Sequence, residues 1–136
     1  MIPVKSFEVL GERVDVLVTS AMSSGASAVI VEHVPSGGGP PPHRHTNEDE
    51  TFIPLEGNFE ILSDGKWISV VKGEQAFGPR GNIHTFRNAG STPGRILVFA
   101  APAGLEIYLE EISHYSPADL TKIFEISACY GISFHM

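Results

Sequence analysis

Short runs of alternating or β-branched residues fill the chain up to about residue 100 and predict strands. The runs are RVDVLVTS (13–20), SAVIVEHV (27–34), NFEIL (58–62), KWISVV (66–71), TFRN (85–88) and RILVFA (95–100). Residues of these types favour extended backbone, and turn residues separate the runs. The clearest turn is Asp64-Gly65, because both positions of such a pair tolerate the positive φ of a tight hairpin. The pattern predicts an all-β sandwich or barrel rather than βαβ repeats.

The last part of the chain changes to a helical period. One helical face is predicted by four apolar residues of segment 104–113, namely Leu105, Tyr108, Leu109 and Ile112. Ser116 is a good N-cap for a second helix, Pro117 suits its first position, and Asp119 completes a capping box. We expect one domain over residues 1–136, with a barrel over about 7–102 and a helical tail over about 104–131 that packs on the barrel's outside.

Composition narrows the classes of partner. The net charge is −7, and the nine Lys and Arg residues are scattered, which argues against nucleic acid and against an anionic membrane surface. Cys129 is the single cysteine, so no internal disulfide can form. The first residues lack the apolar core of a signal peptide, and no apolar run could span a bilayer. We therefore expect a cytoplasmic protein.

Two alternating histidines follow a proline run in GGGPPPHRHTNEDETF (37–52). On a strand, His43 and His45 project from the same face with Cα atoms about 6.5–7 Å apart. Both imidazoles can then reach one ion at about 2.0–2.1 Å. Glu50 follows after a turn, and His84 comes from a later strand. These four side chains are candidate ligands of one metal ion.

The spacing of these residues resembles the two signature motifs of the cupin superfamily. G-x5-H-x-H-x4-E-x6-G is met by Gly37, His43, His45, Glu50 and Gly57, and G-x5-P-x-G-x2-H-x3-N by Gly73, Pro79, Gly81, His84 and Asn88. The first motif is similar to that in the halves of quercetin dioxygenases. The resemblance implies a single-domain jelly-roll barrel with a short C-terminal helical tail, in which His43, His45, His84 and Glu50 hold one divalent transition metal. Its nitrogen and oxygen donors suit Fe, Mn, Ni, Cu or Zn alike.

Pro54 and Gly78 are two of the departures from the family pattern. Pro54 replaces a strand-forming aliphatic residue, which predicts a bulge or an unpaired donor site. Gly78 stands where a bulkier apolar residue is common. Neither is a proposed ligand, so we expect both to alter only the local strand geometry.

Strand parity predicts the surroundings of the ion. Phe52 lies two residues beyond Glu50 and Phe86 two beyond His84, so both rings should face the barrel interior, as core or as a substrate wall. Arg44 alternates outward, as does Arg87, which disfavours an organophosphate substrate.

Other polar residues have ordinary explanations. We expect Glu48 and Asp49 to form a solvated acidic turn, and His33 to be a partly buried, hydrogen-bonded residue. His114 and His135 should lie on the surface. A buried core position is expected for Cys129 and a backbone hydrogen-bonding role for Asn88.

An ion with three imidazoles and one carboxylate would keep two coordination positions for other ligands. We therefore expect a metal-dependent dioxygenase that acts on a small aromatic or enol-type compound, flavonol- or catechol-like, with Glu50 as a candidate proton acceptor. Alternatives are a non-catalytic binding or sensor module and a metal-dependent isomerase of a small carbonyl compound. The isomerase needs a second inward-facing acid or base, which parity does not identify. A homodimer is expected, because the apolar N-terminal strands would otherwise leave an exposed edge.

Overall fold

Two antiparallel sheets packed face to face form the fold, in a computed structural model that describes residues 1–135. One sheet has six strands in the order β1-β2-β3-β10-β5-β8, and the other has five in the order β11-β4-β9-β6-β7. The strands are β1 (Lys5–Val9), β2 (Glu12–Val18), β3 (Ala28–Val34), β4 (His43–His45), β5 (Asp49–Glu56), β6 (Phe59–Ser63), β7 (Lys66–Val70), β8 (Ala76–Gly78), β9 (Ile83–Asn88), β10 (Gly94–Ala101) and β11 (Ile132–Phe134). The prediction of an all-β fold with a short C-terminal helical tail is confirmed.

Alternating residues of both sheets meet in one core. Ile30 and Val98 come from the six-stranded sheet, Phe59 and Ile61 from the five-stranded one, and each is at most 1% exposed. Burying a side chain of this size contributes about 1.5–3 kcal/mol. Because the core lies between the sheets, any inward polar residue faces an apolar interior.

Local turn chemistry follows the sequence prediction. Asp64 and Gly65 adopt φ values of 52° and 73° and join β6 to β7. Arg95 pairs with Glu56 and Ile96 with Pro54, so the register of β10 and β5 shifts by one residue there. The bulge predicted at Pro54 is confirmed.

The helical tail closes the interior instead of lying only on the outside. It consists of α2 (Leu105–Ile112), a 3-10 turn (Pro117–Asp119) with the predicted capping box, and α3 (Leu120–Cys129); a short α1 (Ser20–Ser23) precedes β3. Five apolar tail residues line the same cavity as the strands, namely Leu105, Tyr108, Leu109, Ile112 and Ile123. The open end of the two sheets would expose apolar side chains to water, and the tail covers them.

The chain beyond the tail returns to the barrel, which the sequence did not predict. β11 pairs with β4, with Ile132 opposite His45 and Phe134 opposite His43. A strand of three residues is too short to show a hydrophobic periodicity in the sequence. The strand fixes one edge of β4, the strand that carries two candidate ligands.

The prediction that Cys129 is a buried core residue is wrong. The residue is exposed at the end of α3. Cys129 lies seven residues after Lys122 and four after Glu125, so it shares their polar face of the helix. The apolar face of α3 is formed by Ile123 and Ile126. No helix within residues 1–135 is long and apolar enough to cross a bilayer.

Candidate metal centre

Three separate strands bring four candidate ligands to one point. His43 and His45 lie on β4, Glu50 begins the inner face of β5, and His84 is on β9 directly opposite His43. One donor atom from each lies within 4.8 Å of all the others, and all four residues are buried. The residues predicted from the two motifs therefore form one cluster.

The donor atoms of the cluster lie close together, but several of them make no hydrogen bond. Glu50 Oε1 lies 2.9 Å from His45 Nε2 and 3.3 Å from His84 Nε2. Nevertheless, in the part of the chain that the structure describes, Glu50 Oε1 and both ring nitrogens of His84 have no partner in hydrogen-bonding geometry. Leaving a buried polar group unsatisfied costs about 1–3 kcal/mol. A divalent cation at the centre would accept lone pairs from Glu50 Oε1 and from one ring nitrogen of His84, so the donor set fits a metal site.

Hydrogen bonds behind the imidazoles orient two of the ligands. His43 Nδ1 donates to the Pro41 carbonyl at 2.8 Å, which directs the lone pair of Nε2 away from the backbone. His45 Nδ1 donates to Glu48 Oε2 at 3.3 Å, and His45 Nε2 faces Glu50. Such outer partners fix the tautomer and the ring orientation of metal-binding histidines.

The prediction that Glu48 belongs to a solvated turn is wrong. Glu48 is 4% exposed and its carboxylate turns inward to His45. A buried carboxylate needs a partner, and the imidazole N–H supplies one. Asp49 does face outward, where it forms an ion pair with Arg80 at 3.2 Å.

The two histidines of β4 have pKa values shifted in opposite directions. Burial, together with the neighbouring His45 and His84 rings, lowers the pKa of His43 to about 4. Burial also opposes charge on His45, but Glu50 and Glu48 outweigh it and raise the pKa of His45 to about 10. Burial likewise disfavours an ionised Glu50, yet His45 and His84 hold the pKa of that carboxyl well below its usual range. Without a cation, His45 carries the proton that balances Glu50, and a metal ion has to displace it.

A close backbone approach positions the strand that carries His43. Gly39 has φ of 149°, and a Cβ there would overlap the Phe86 carbonyl. In the same place the Asn88 backbone N–H donates to the Gly38 carbonyl at 2.9 Å. The Asn88 side chain donates to the Val34 and Thr92 carbonyls, which confirms its predicted backbone-bonding role.

Gly78 is explained by the site itself. A Cβ at this position would lie 3.0 Å from the Phe52 ring and 3.3 Å from His84 Nδ1. Both neighbours are buried and have little freedom to move. The glycine therefore leaves the space that the His84 ring occupies, so its effect reaches a ligand and is not confined to strand geometry.

A cavity of about 340 Å³ adjoins the cluster and is largely apolar. Phe52 and Phe86 line it, as do His43, His45 and Glu50. None of the lining residues within 1–135 is Lys or Arg. The inward direction predicted for both phenylalanines agrees with this placement, and their contact with a substrate stays a prediction.

Sequence reasoning missed two carboxyl groups on the cavity wall. Glu12 on β2 and Glu32 on β3 both line the cavity. The signal was present, since Glu12 alternates with buried Val14 and Glu32 with buried Ile30. Strand parity alone would have placed both carboxyls inside.

The remaining candidates lie away from the cluster. His33 is partly exposed and bonds Asp15 at 2.7 Å, as expected for a satisfied histidine. His114 and His135 are exposed, also as expected. Arg87 points outward and stacks on Trp67 at 3.9 Å. None of these residues belongs to the proposed site.

The sequence and the fold both match known proteins. A family model described as "Cupin domain" matches residues 30–100, more than half of the 136 residues. The chain belongs to the cupin family. The match contains all four clustered candidate residues, and the resemblance to the cupin superfamily is confirmed.

Two other kinds of comparison extend the match. An uncharacterized protein of Aquifex aeolicus (strain VF5) is 32% identical to this cupin over 59 residues, which are 43% of this chain and 49% of that protein. The chain thus spans about half the length of that relative.

Among solved structures, a predicted oxalate decarboxylase from Thermotoga maritima has a TM-score of 0.62 at 24% identity, covering 67% of this chain and 80% of that one. A cupin-superfamily sugar phosphate isomerase from Silicibacter pomeroyi DSS-3 has a TM-score of 0.58 at 24% identity, covering 67% and 59%. At these identities the likeness shows the fold alone.

Proposed function

We propose that this cupin is a metal-dependent dioxygenase that acts on a small aromatic or enol-type compound resembling a flavonol or a catechol. The observation that carries the proposal is a buried cluster of three histidines and one glutamate in the wall of an apolar cavity. Among the described residues, the cavity lining contains no Lys or Arg, which disfavours a phosphorylated substrate. The aromatic rings of Phe52 and Phe86 suit a planar, apolar substrate.

The chain's own residues would bind and orient the substrate. His43, His45, His84 and Glu50 would hold one divalent transition metal, which when bound supplies Lewis acidity and, if redox-active, electron transfer between substrate and O2. Phe52 and Phe86 would pack against the substrate ring and exclude water. Glu50 faces the cavity and would accept the proton that a substrate hydroxyl loses if its carboxylate loosens from the ion.

Oxygen uptake tests the proposal. Protein loaded separately with Fe, Mn, Ni, Cu or Zn is supplied with flavonols or catechols, and O2 consumption is followed with an oxygen electrode. We expect uptake with at least one redox-active metal and none with the His84→Ala variant. Tight binding without turnover for every metal would refute the dioxygenase and favour a binding module instead.

A metal-dependent isomerase of a small carbonyl compound is a second candidate because of Glu32. Such a reaction needs an acid or base beside the metal ligands, and Glu32 is a carboxyl group in the same cavity. An isomerase would exchange substrate C–H protons with solvent. Deuterium incorporation from D2O, measured by NMR without O2, would therefore favour this candidate over the first.

We also propose a homodimer formed through the outer face of the six-stranded sheet, in the cytoplasm. Val29, Phe99, Thr51 and Phe77 form one row across neighbouring strands of that face. Phe99 is 42% exposed and Phe77 is 59% exposed, an unfavourable arrangement for a monomer. Light scattering should give twice the 14.7 kDa chain mass. Phe77→Ser should lower it, unlike Trp67→Ser on the other sheet, and a native monomer mass would contradict the proposal.

A further inference from the structure

A two-residue turn at Leu10-Gly11 holds a leucine in a backbone conformation that leucine disfavours. Leu10 has φ of 50° and Gly11 has φ of 86°, and together they join β1 to β2. Such turns favour Asn-Gly, because both positions need positive φ. The other non-glycine residues with positive φ within residues 1–135 are Ser24 and Asp64, which are small and polar. A bulky residue in this conformation is an outlier, so Leu10 needs an explanation outside the turn.

Leu10 lies on the wall of the cavity that adjoins the metal cluster. It is 45% exposed, yet it lines the same cavity as His43 and Glu50. A residue that is both exposed and part of the lining lies where the cavity meets solvent. The turn thus places an apolar side chain at the mouth of the cavity, where contact with an apolar ligand would remove it from water.

Most other side chains at this mouth are also apolar. Among the described residues, the lining side chains that are partly or fully exposed mark the opening. Apart from Glu12 and Glu32 they are apolar, namely Val9, Leu10, Pro40, Pro41 and Phe134. The Phe134 ring centroid lies 5.9 Å from that of His43. An apolar surface therefore extends from a candidate ligand of the metal to the opening.

The cavity has room for more than one aromatic ring. Its volume is about 340 Å³. A cavity of roughly 150 Å³ is enough to hold one benzene ring. A single catechol ring at the metal cluster would leave about half of the cavity without ligand atoms, and the apolar walls there would lack dispersion contacts. A second ring directed toward the mouth would fill this space.

We propose that Leu10 determines substrate specificity by packing against a second apolar ring of the substrate, whose oxygen-bearing ring lies at the metal cluster. This inference rests on the proposed function and narrows its substrate class to compounds with a second aromatic ring, as in a flavonol, over single-ring catechols. The strained turn is then explained by the contact that Leu10 makes. Asn would suit the turn better but would offer no apolar surface to the ligand.

Two ligands with the same oxygen-bearing ring test the assignment. Catechol has one ring, and 4-phenylcatechol adds a second ring without adding charge. Their Kd values are measured by calorimetry on the zinc-loaded protein, because zinc is not redox-active and leaves the ligands unoxidised. We expect 4-phenylcatechol to bind at least about tenfold more tightly than catechol, since the second ring is removed from water.

Substitutions at Leu10 separate a specificity role from a purely structural one. Leu10→Asn should weaken 4-phenylcatechol binding about five- to tenfold and change catechol binding by less than about twofold, because only the second ring loses a contact. The same substitution should raise the Tm by about 2–4 °C, since Asn relieves the turn. Leu10→Met keeps an apolar side chain of similar volume and should keep the native preference.

Ile68→Asn is the matched control. Ile68 lies on β7 of the other sheet, is 47% exposed and does not line the cavity. The substitution replaces an apolar side chain of similar exposure with the same amide. We expect the preference for 4-phenylcatechol to stay at its native value.

The outcomes separate this inference from the proposed function. Equal affinity of the native protein for both compounds overturns the role of Leu10, as does a preference that survives in Leu10→Asn or an equal loss in Ile68→Asn. A lower Tm with weaker binding of both compounds also overturns it, because Leu10 would then support the fold. If neither compound binds, the substrate class of the proposed function fails together with this inference. Oxygen uptake is measured separately, so its failure leaves a confirmed preference that depends on Leu10 standing.

Discussion

Glu48 provides the sharpest test of how the metal site is supported. Its carboxylate accepts a hydrogen bond from His45 Nδ1 at 3.3 Å, and both residues are buried. Glu48→Gln keeps an acceptor but removes the charge, whereas Glu48→Ala removes both. Loss of such an outer partner typically weakens metal binding by about 10–100-fold, or about 1.4–2.7 kcal/mol.

The bond is long, so the expected effect of Glu48→Gln lies near the lower end, about tenfold, and that of Glu48→Ala nearer the upper end. The assay is a competition titration of zinc against a chelator, with circular dichroism to confirm folding. Asp49→Asn is the matched control, because it removes a carboxylate one residue away from an exposed pair with Arg80. Native affinity in both Glu48 variants, or an equal loss in Asp49→Asn, would refute the reasoning.

Three further predictions follow from the same geometry. Gly78→Ala should lower metal affinity by about tenfold, since the added Cβ presses on the Phe52 and His84 rings; unchanged affinity in a chelator titration would contradict this. Metal affinity should rise about tenfold per pH unit between pH 6 and 8, because the pKa of His45 is raised to about 10 and the ion displaces that proton; a flat profile would exclude the displacement. Gly39→Ala should destabilise the fold by more than about 1 kcal/mol in urea unfolding, because of the overlap with the Phe86 carbonyl, and a native midpoint would be the opposing result.

The part of the site that sequence predicts well is the part set by local spacing. Two alternating histidines on a strand must share a face, and Gly and Pro residues mark the turns around them. The hairpin at Asp64 and the capping box at Ser116 are local in the same sense, and both are present. Local rules depend only on neighbours along the chain, which the sequence displays directly.

The parts that were missed depend on contacts far apart in the chain. The burial of Glu48 requires the turn to fold back over His45, which nothing in TNEDE indicates. The tail covers one end of the cavity, where apolar strand residues would otherwise be exposed to water. This need arises only from how the two sheets pack together. Glu32 was also missed, although its alternation with buried Ile30 on β3 is a local signal that could have placed it inside.

Metal content of the isolated protein tests the central claim most directly. The protein is purified without chelators and without a metal-affinity step, and elemental analysis is compared with that of His84→Ala prepared in the same way. We predict about one divalent transition-metal ion per native chain and a clear loss in the variant, because His84 is one of four donors that converge within residues 1–135. A native protein that holds no more metal than His84→Ala would contradict the account.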